Sequence, residues 1–122
     1  RPYVIPMNFG YADGSVYLHG SPVGRKNEIL ATHPDVCLSF STDHERRYVN
    51  EEVACSWSMR YRSVLVFGRV EFIENTEEKI RALNIIMSQY SGREFTYSGP
   101  AVRDVRVYRV AVEKMEGRAY GY

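Results

Sequence analysis

Arg25 and Lys26 follow a small-residue turn, Gly20-Ser21-Pro22-Val23-Gly24, and open what reads as a short helix. Backbone N–H groups at a helix start attract anions, and two cations beside them make a place for a phosphate monoester. The placement runs against the helix dipole, which favours Arg and Lys at the other end; a bound phosphate would resolve the conflict. An ordinary solvated basic pair is the bland alternative, and this stretch alone does not exclude it. His19 closes a strand just before the turn. It is either a satisfied structural imidazole or a group able to exchange a proton near neutral pH.

Other chemistries find less support. Ser21 and Ser63 lack the strand–turn–helix setting of a hydrolase nucleophile. His19, His33 and His44 have no metal-type spacing, and His33 beside Pro34 reads as a helix end. No Gly-rich phosphate loop or dinucleotide fingerprint is present. Arg60-Tyr61-Arg62-Ser63 adds two cations and a hydroxyl at the start of the most strand-like stretch. Trp57 and Tyr61 nearby are flat surfaces for a ligand, or simply core or dimer-contact aromatics.

The elements that must position these residues are bounded by composition. A chain of 122 residues with 44% hydrophobic and 25% charged residues is one domain of ordinary globular make-up. A net charge of +1 gives no pull toward nucleic acid or a membrane surface, and no apolar run approaches a membrane span. Cys37 and Cys55 sit in apolar, strand-like surroundings and read as reduced core thiols of a cytoplasmic protein rather than as a disulfide or metal pair. Ten tyrosines suggest a sheet-rich fold with aromatic surface left for a partner or a flat ligand.

Taken in order, residues 3–11 alternate, with Tyr3, Ile5, Met7, Phe9 and Tyr11 on one face and Pro6 forcing an edge or a bulge. Asp13-Gly14 is a hairpin turn, residues 15–19 return, residues 25–33 form the short helix, and residues 36–41 form a third strand. The charged stretch 42–52 reads as a loop, residues 53–59 as extended, and residues 63–73 as the strongest strand. Within it Val64, Val66, Val70 and Phe72 share a face with Gly68, which marks a bend or a close backbone approach. The main helix is capped by Asn75 or Thr76, buries a stripe of Ile80, Leu83, Met87 and Tyr90, and ends at Ser91-Gly92. Residues 93–100 read as a loop, residues 105–115 as a last strand, and residues 117–122 as an irregular tail. About six strands and two helices in this order do not alternate as a doubly wound sheet does. They predict a mainly β fold, an antiparallel barrel with helices plugging or flanking it.

Three blocks carry a resemblance: YVIPMNFGYADGSVYLHGSPVGRKNEILATHPDVCLSF, SWSMRYRSVLVFGRVEFI and EEKIRALNIIMSQY. Together they resemble the pyridoxamine 5′-phosphate oxidase-related flavoproteins, and within these the nitroimidazole-resistance branch of the FMN-binding split barrels. The resemblance runs from Pro2 to about Tyr108. It implies a single antiparallel split-barrel domain over residues 1–122, with a helix and strand ahead of residue 1, and a homodimer holding FMN at the subunit interface. Pro6, Met7 and Asn8 would line the flavin ring, and Leu18, His19 and Gly20 would border the ring and ribityl chain. Arg25 and Lys26 would hold the phosphate. Arg62 and Ser63 match a position that contacts the cofactor, in many members from the second subunit.

Two departures bear on activity. Asn8 stands where true pyridoxamine phosphate oxidases carry a substrate-binding Lys, and the chain ends in RAYGY rather than an Arg/His-bearing segment. Both argue against pyridoxal phosphate synthesis. The resemblance then implies an FMN-dependent oxidoreductase of small molecules, nitro compounds among them, with His19 as a catalytic candidate. The alternatives are a flavin carrier or sensor without turnover, and a split barrel using deazaflavin or haem.

Overall fold

Asp13 and Gly14 both adopt left-handed backbone, with φ of 52° and 75°, the pattern of a two-residue type I′ turn. The turn joins β1 (Phe9–Ala12) to β2 (Ser15–Gly20) in antiparallel register, Phe9 opposite Leu18 and Ala12 opposite Ser15. The computed structural model describes residues 5–47, 51–93 and 95–121. Further strands are β3 (Asp35–Arg47), β4 (Ser58–Ile73) and β5 (Arg106–Tyr120), and the sheet order is β1-β2-β5-β4-β3. Helices α1 (Arg25–Thr32), α2 (Thr76–Ser91) and α3 (Gly99–Arg103) and a 3₁₀ turn at Ala54–Ser56 complete the described structure. The hairpin, the short basic helix and the mainly β architecture are as the sequence predicts.

Several boundaries differ. Among the described residues there are five strands rather than six: of the segment expected to be extended over 53–59, Ala54–Ser56 is a 3₁₀ turn, and only Ser58 and Met59 are strand, running into 63–73 as β4 across Arg60-Tyr61-Arg62. Residues 42–47, expected in a loop, continue β3. Their charges are met by pairs from β4: Arg62 with Asp43 and Arg60 with Glu45, each at 2.6 Å. Alternating charge therefore marks a solvated strand face here, not a loop. The expected loop's residues 48–50 lie outside the described residues. The tail is also strand as far as Tyr120, whose ring stacks on Tyr61 at 6.0 Å. The loop expected over 93–100 gives way at its end to α3 (Gly99–Arg103), with Ser98 as its cap.

The chain divides into two compact units, Arg1–Val36 with Gly68–Val112, and Cys37–Phe67 with Glu113–Tyr122. In the first, Tyr17, Ile73, Ala82, Leu83, Ile86 and Val107 form the core. Full burial of an aliphatic side chain of this kind is worth about 1.5–3 kcal/mol. Helix α2 is capped as expected, Asn75 Oδ1 accepting the Glu78 N–H at 3.1 Å, and it ends at Gly92 with φ 72°. Its buried stripe is Ala82, Leu83 and Ile86 rather than the expected Ile80, Leu83, Met87 and Tyr90. Tyr90 turns outward, and its hydroxyl accepts the Phe9 N–H at 3.0 Å.

The opening strand is shorter than expected and presents its other face. It begins at Phe9, Tyr3 lies outside the described residues, and Ile5 and Tyr11 are exposed. Gly10 is buried beneath α2 instead: a Cβ there would stand 2.7 Å from Ile85 O and Ile86 N. Glycine is needed for that approach, and a hydrophobicity pattern does not register it. Gly68 is a second close approach, as expected, packed against Ala111 O and Val110.

Both cysteines are free, but neither is in a core. Along β3, Val36, Leu38 and Phe40 are partly covered while Asp35, Cys37 and Ser39 face solvent, so strand alternation puts the thiol outside. No helix among the described residues is long and apolar enough to cross a membrane.

Candidate functional site

β2 delivers His19 and Gly20 to the turn that precedes α1. Ser21 Oγ accepts the Val23 N–H at 3.2 Å, stiffening the turn. Gly24, at φ 122° and ψ 167°, then admits the chain into the helix, and no side chain caps it. The helix start therefore keeps its amides and its positive dipole end without a side-chain acceptor. Arg25 and Lys26 are the first two helical residues, and neither makes an ion pair among the described residues. The Lys26 ammonium lies over the Tyr108 ring, 5.6 Å from its centroid. It also occupies the space that a side chain at Gly20 would need.

Asn27 connects this helix start to the sheet. Its Nδ2 donates to Ser21 O at 2.9 Å, and its Oδ1 accepts the hydroxyl of Tyr108 on β5. Tyr108 is fully buried. Burial pushes its phenol above the ordinary range, against a smaller opposing effect from Arg106, so it stays neutral. Phe72 tilts against the Tyr108 ring with centroids 5.4 Å apart, and the Arg106 guanidinium lies 5.3 Å from the Phe72 centroid. Arg106 is the ladder partner of Gly20, so the two residues share a sheet face. Its Nε is buried with no hydrogen-bond partner among the described residues, and Glu74 comes only to 3.9 Å from its Nη1.

His19 is half-buried at the same strand end. Desolvation first, and then the Lys26 charge, hold its pKa below the ordinary 6.5. The shift favours the neutral imidazole at pH 7.

The structure brings part of the expected site together. Lys26 lies against Gly20, and Met7 Cε lies 3.9 Å from the position a Gly20 Cβ would take; His19, the ladder partner of Val107, has the other strand parity but is still within reach of the Lys26 charge. Pro6 and Asn8 are exposed in the irregular segment before β1, and Arg25 is exposed at the helix start. Leu18 is buried, its side chain part of the packing beneath. Arg62 and Ser63 belong to the second unit, where Arg62 is paired with Asp43.

Sequence reasoning missed Asn27, Tyr108 and Arg106. A signal for two of them existed: in Arg106-Val107-Tyr108-Arg109-Val110, strand alternation puts a guanidinium on the face of Tyr108 and Val110. Asn27 had none, because its partner is 81 residues away.

Residues 1–119 match the family described as pyridoxamine 5′-phosphate oxidase. The structure superimposes with a TM-score of 0.83 and 49% identity on a Bacteroides thetaiotaomicron protein with a proposed role in 5-nitroimidazole antibiotic resistance, covering 96% of this chain and 68% of that one. The flavocytochrome Anf3 of Azotobacter vinelandii shares the fold, with a TM-score of 0.81 at 23% identity over 100% of this chain and 57% of that one. So does an FAD- and haem-binding protein of Mycobacterium smegmatis, with a TM-score of 0.83 at 17% identity over 100% and 61%. The chain thus spans about two thirds or less of the length of each. No protein with a curated description matches the sequence.

Proposed function

The chain belongs to the pyridoxamine 5′-phosphate oxidase family, and from that membership we propose that it is an FMN-binding oxidoreductase of small molecules acting as a homodimer. The observation that carries the reading is the start of α1, where Arg25 and Lys26 make no ion pair among the described residues and no side chain caps the helix. Two further features fit a phosphate there. The buried Arg106 Nε has no acceptor among the described residues, and the absent side chain at Gly20 leaves room for the Lys26 ammonium. Hydrogen bonds to a charged group contribute about 1.5–3 kcal/mol each.

In this reading Arg25 and Lys26 hold the phosphate, His19, Gly20 and the Leu18 backbone border the ribityl chain, and Pro6, Met7 and Asn8 line the ring. Arg62 and Ser63 match a position that contacts the cofactor, in many members of the family from the second subunit. FMN would supply the electron transfer when bound. Asn8 is neutral and both donates and accepts hydrogen bonds, so it orients a polar substrate without requiring an anion. His19, neutral at pH 7, donates or accepts a hydrogen bond there. The 49% identity to a protein with a proposed role in 5-nitroimidazole resistance supports nitro compounds as the substrate class. The neutral state of His19 favours a second reading, a flavin carrier without turnover.

An absorption spectrum and a stopped-flow experiment test both. The purified protein, titrated with FMN, should show bound-flavin bands, and a nitroaromatic acceptor should reoxidise the reduced holoprotein faster than free reduced FMN. Binding without that acceleration would favour the carrier. A protein that takes up no FMN would overturn both readings.

A further inference from the structure

One residue, Asn27, ties three parts of the fold together. Asn27 Nδ2 donates to Ser21 O at 2.9 Å, fixing the turn. Its backbone N–H donates to Gly24 O at 3.3 Å, closing the first turn of α1. Its Oδ1 accepts the Tyr108 hydroxyl, reaching the buried face of β5. Packing alone does not call for that hydroxyl, since Phe would fill the same volume without a buried donor to satisfy. The polar contact is informative for what it places. Lys26, the residue before Asn27, lies over the same Tyr108 ring and against Gly20.

We propose that Asn27 and Tyr108 are positioning residues that hold Lys26 and the start of α1 in place, and so set the preference for a phosphate-bearing flavin. The inference rests on the phosphate reading above. Neither residue touches the ligand in this scheme; both act through Lys26. A long, flexible lysine ordered in advance loses less freedom when an anion binds, which raises affinity without a new contact.

The test compares FMN with riboflavin by fluorescence titration in Tyr108→Phe and Asn27→Ala, each alone and in a Lys26→Ala background, with thermal melts to confirm folding. Tyr108→Phe keeps the ring and removes only the hydroxyl. It should weaken FMN about tenfold, the cost of ordering one lysine side chain on binding, and riboflavin less than about twofold. In the Lys26→Ala background the FMN loss should shrink below about twofold. Equal losses for the two flavins, no loss for FMN, or a loss undiminished without Lys26 would each overturn the proposal. Should Tyr108→Phe not fold, Asn27→Ala, on the partly exposed helix, carries the same comparison.

A second readout needs no flavin. Lys26 helps hold the His19 pKa down, so its release should move the His19 NMR titration upward in Tyr108→Phe. A wild-type protein that binds both flavins equally would refute the phosphate reading by itself. The His19 titration then decides the positioning role alone: an upward shift sustains it and an unmoved one removes it.

Discussion

Lys26 and Gly20 are complementary across the start of α1: the ammonium nitrogen sits where a side chain on residue 20 would begin. The absence of a Cβ at position 20 therefore locates a charge. Gly20→Ala should fold with little loss of stability, because the obstructing atom is the free end of a flexible lysine. The ammonium would be displaced from the Tyr108 ring, and FMN affinity should fall about tenfold, the equivalent of one charge-assisted contact. Calorimetric titration checks this, and unchanged affinity would mean that Lys26 acts from another position.

Gly10 makes the opposite case. The atoms near its missing Cβ are backbone atoms of α2, Ile85 O and Ile86 N at 2.7 Å, which have no side chain to move aside. Gly10→Ala should destabilise the fold by about 1–3 kcal/mol, the usual cost of overpacking. Urea denaturation would show it, and a loss below about 0.5 kcal/mol would mean that α2 shifts freely on the hairpin.

The cap of α2 offers a local check. Asn75→Ala removes the acceptor of the Glu78 N–H and should cost about 1 kcal/mol. The same denaturation experiment measures it.

His19 gives a pH dependence whose sign follows from its environment. Burial and the Lys26 charge lower its folded-state pKa below 6.5, so between the two values the unfolded chain binds more protons. The stability linked to His19 is full above pH 6.5 and is lost as the pH falls through the lowered folded value. Thermal melts across this window should show a weaker pH slope in His19→Gln than in the wild type. Equal slopes would mean that the imidazole is solvated.

Much of the fold was legible because local chemistry specified it. The Asp13-Gly14 turn, the Asn75 cap and the Gly92 stop each depend on residues a few positions apart. The start of α1 was legible too, since a turn and two cations stand in sequence. What was not legible was set at a distance. The charges of residues 42–47 look like a loop until Arg60 and Arg62 arrive from β4. Gly10 looks like a flaw in a strand until α2 lies across it, and Asn27 has no visible role without Tyr108. Cys37 was misplaced because the apolar residues beside it belong to the other face of β3.

A dimer is expected from the family resemblance, and the second unit exposes Trp57, Met59, Met115 and Tyr120. Light scattering at micromolar concentration should report twice the 14.1 kDa chain mass. A monomer that binds FMN tightly would remove the shared-site arrangement.

The central claim is that the start of α1 is a phosphate site, and the relative affinity of FMN and riboflavin tests it most directly. Calorimetry on the wild type and on a variant carrying both Arg25→Ala and Lys26→Ala should show FMN bound far more tightly than riboflavin in the first. In the variant that advantage should nearly vanish while riboflavin affinity stays within about threefold, as losing charge-assisted contacts requires. Equal loss for both ligands, or an FMN advantage that survives both substitutions, would place the phosphate elsewhere and contradict the claim.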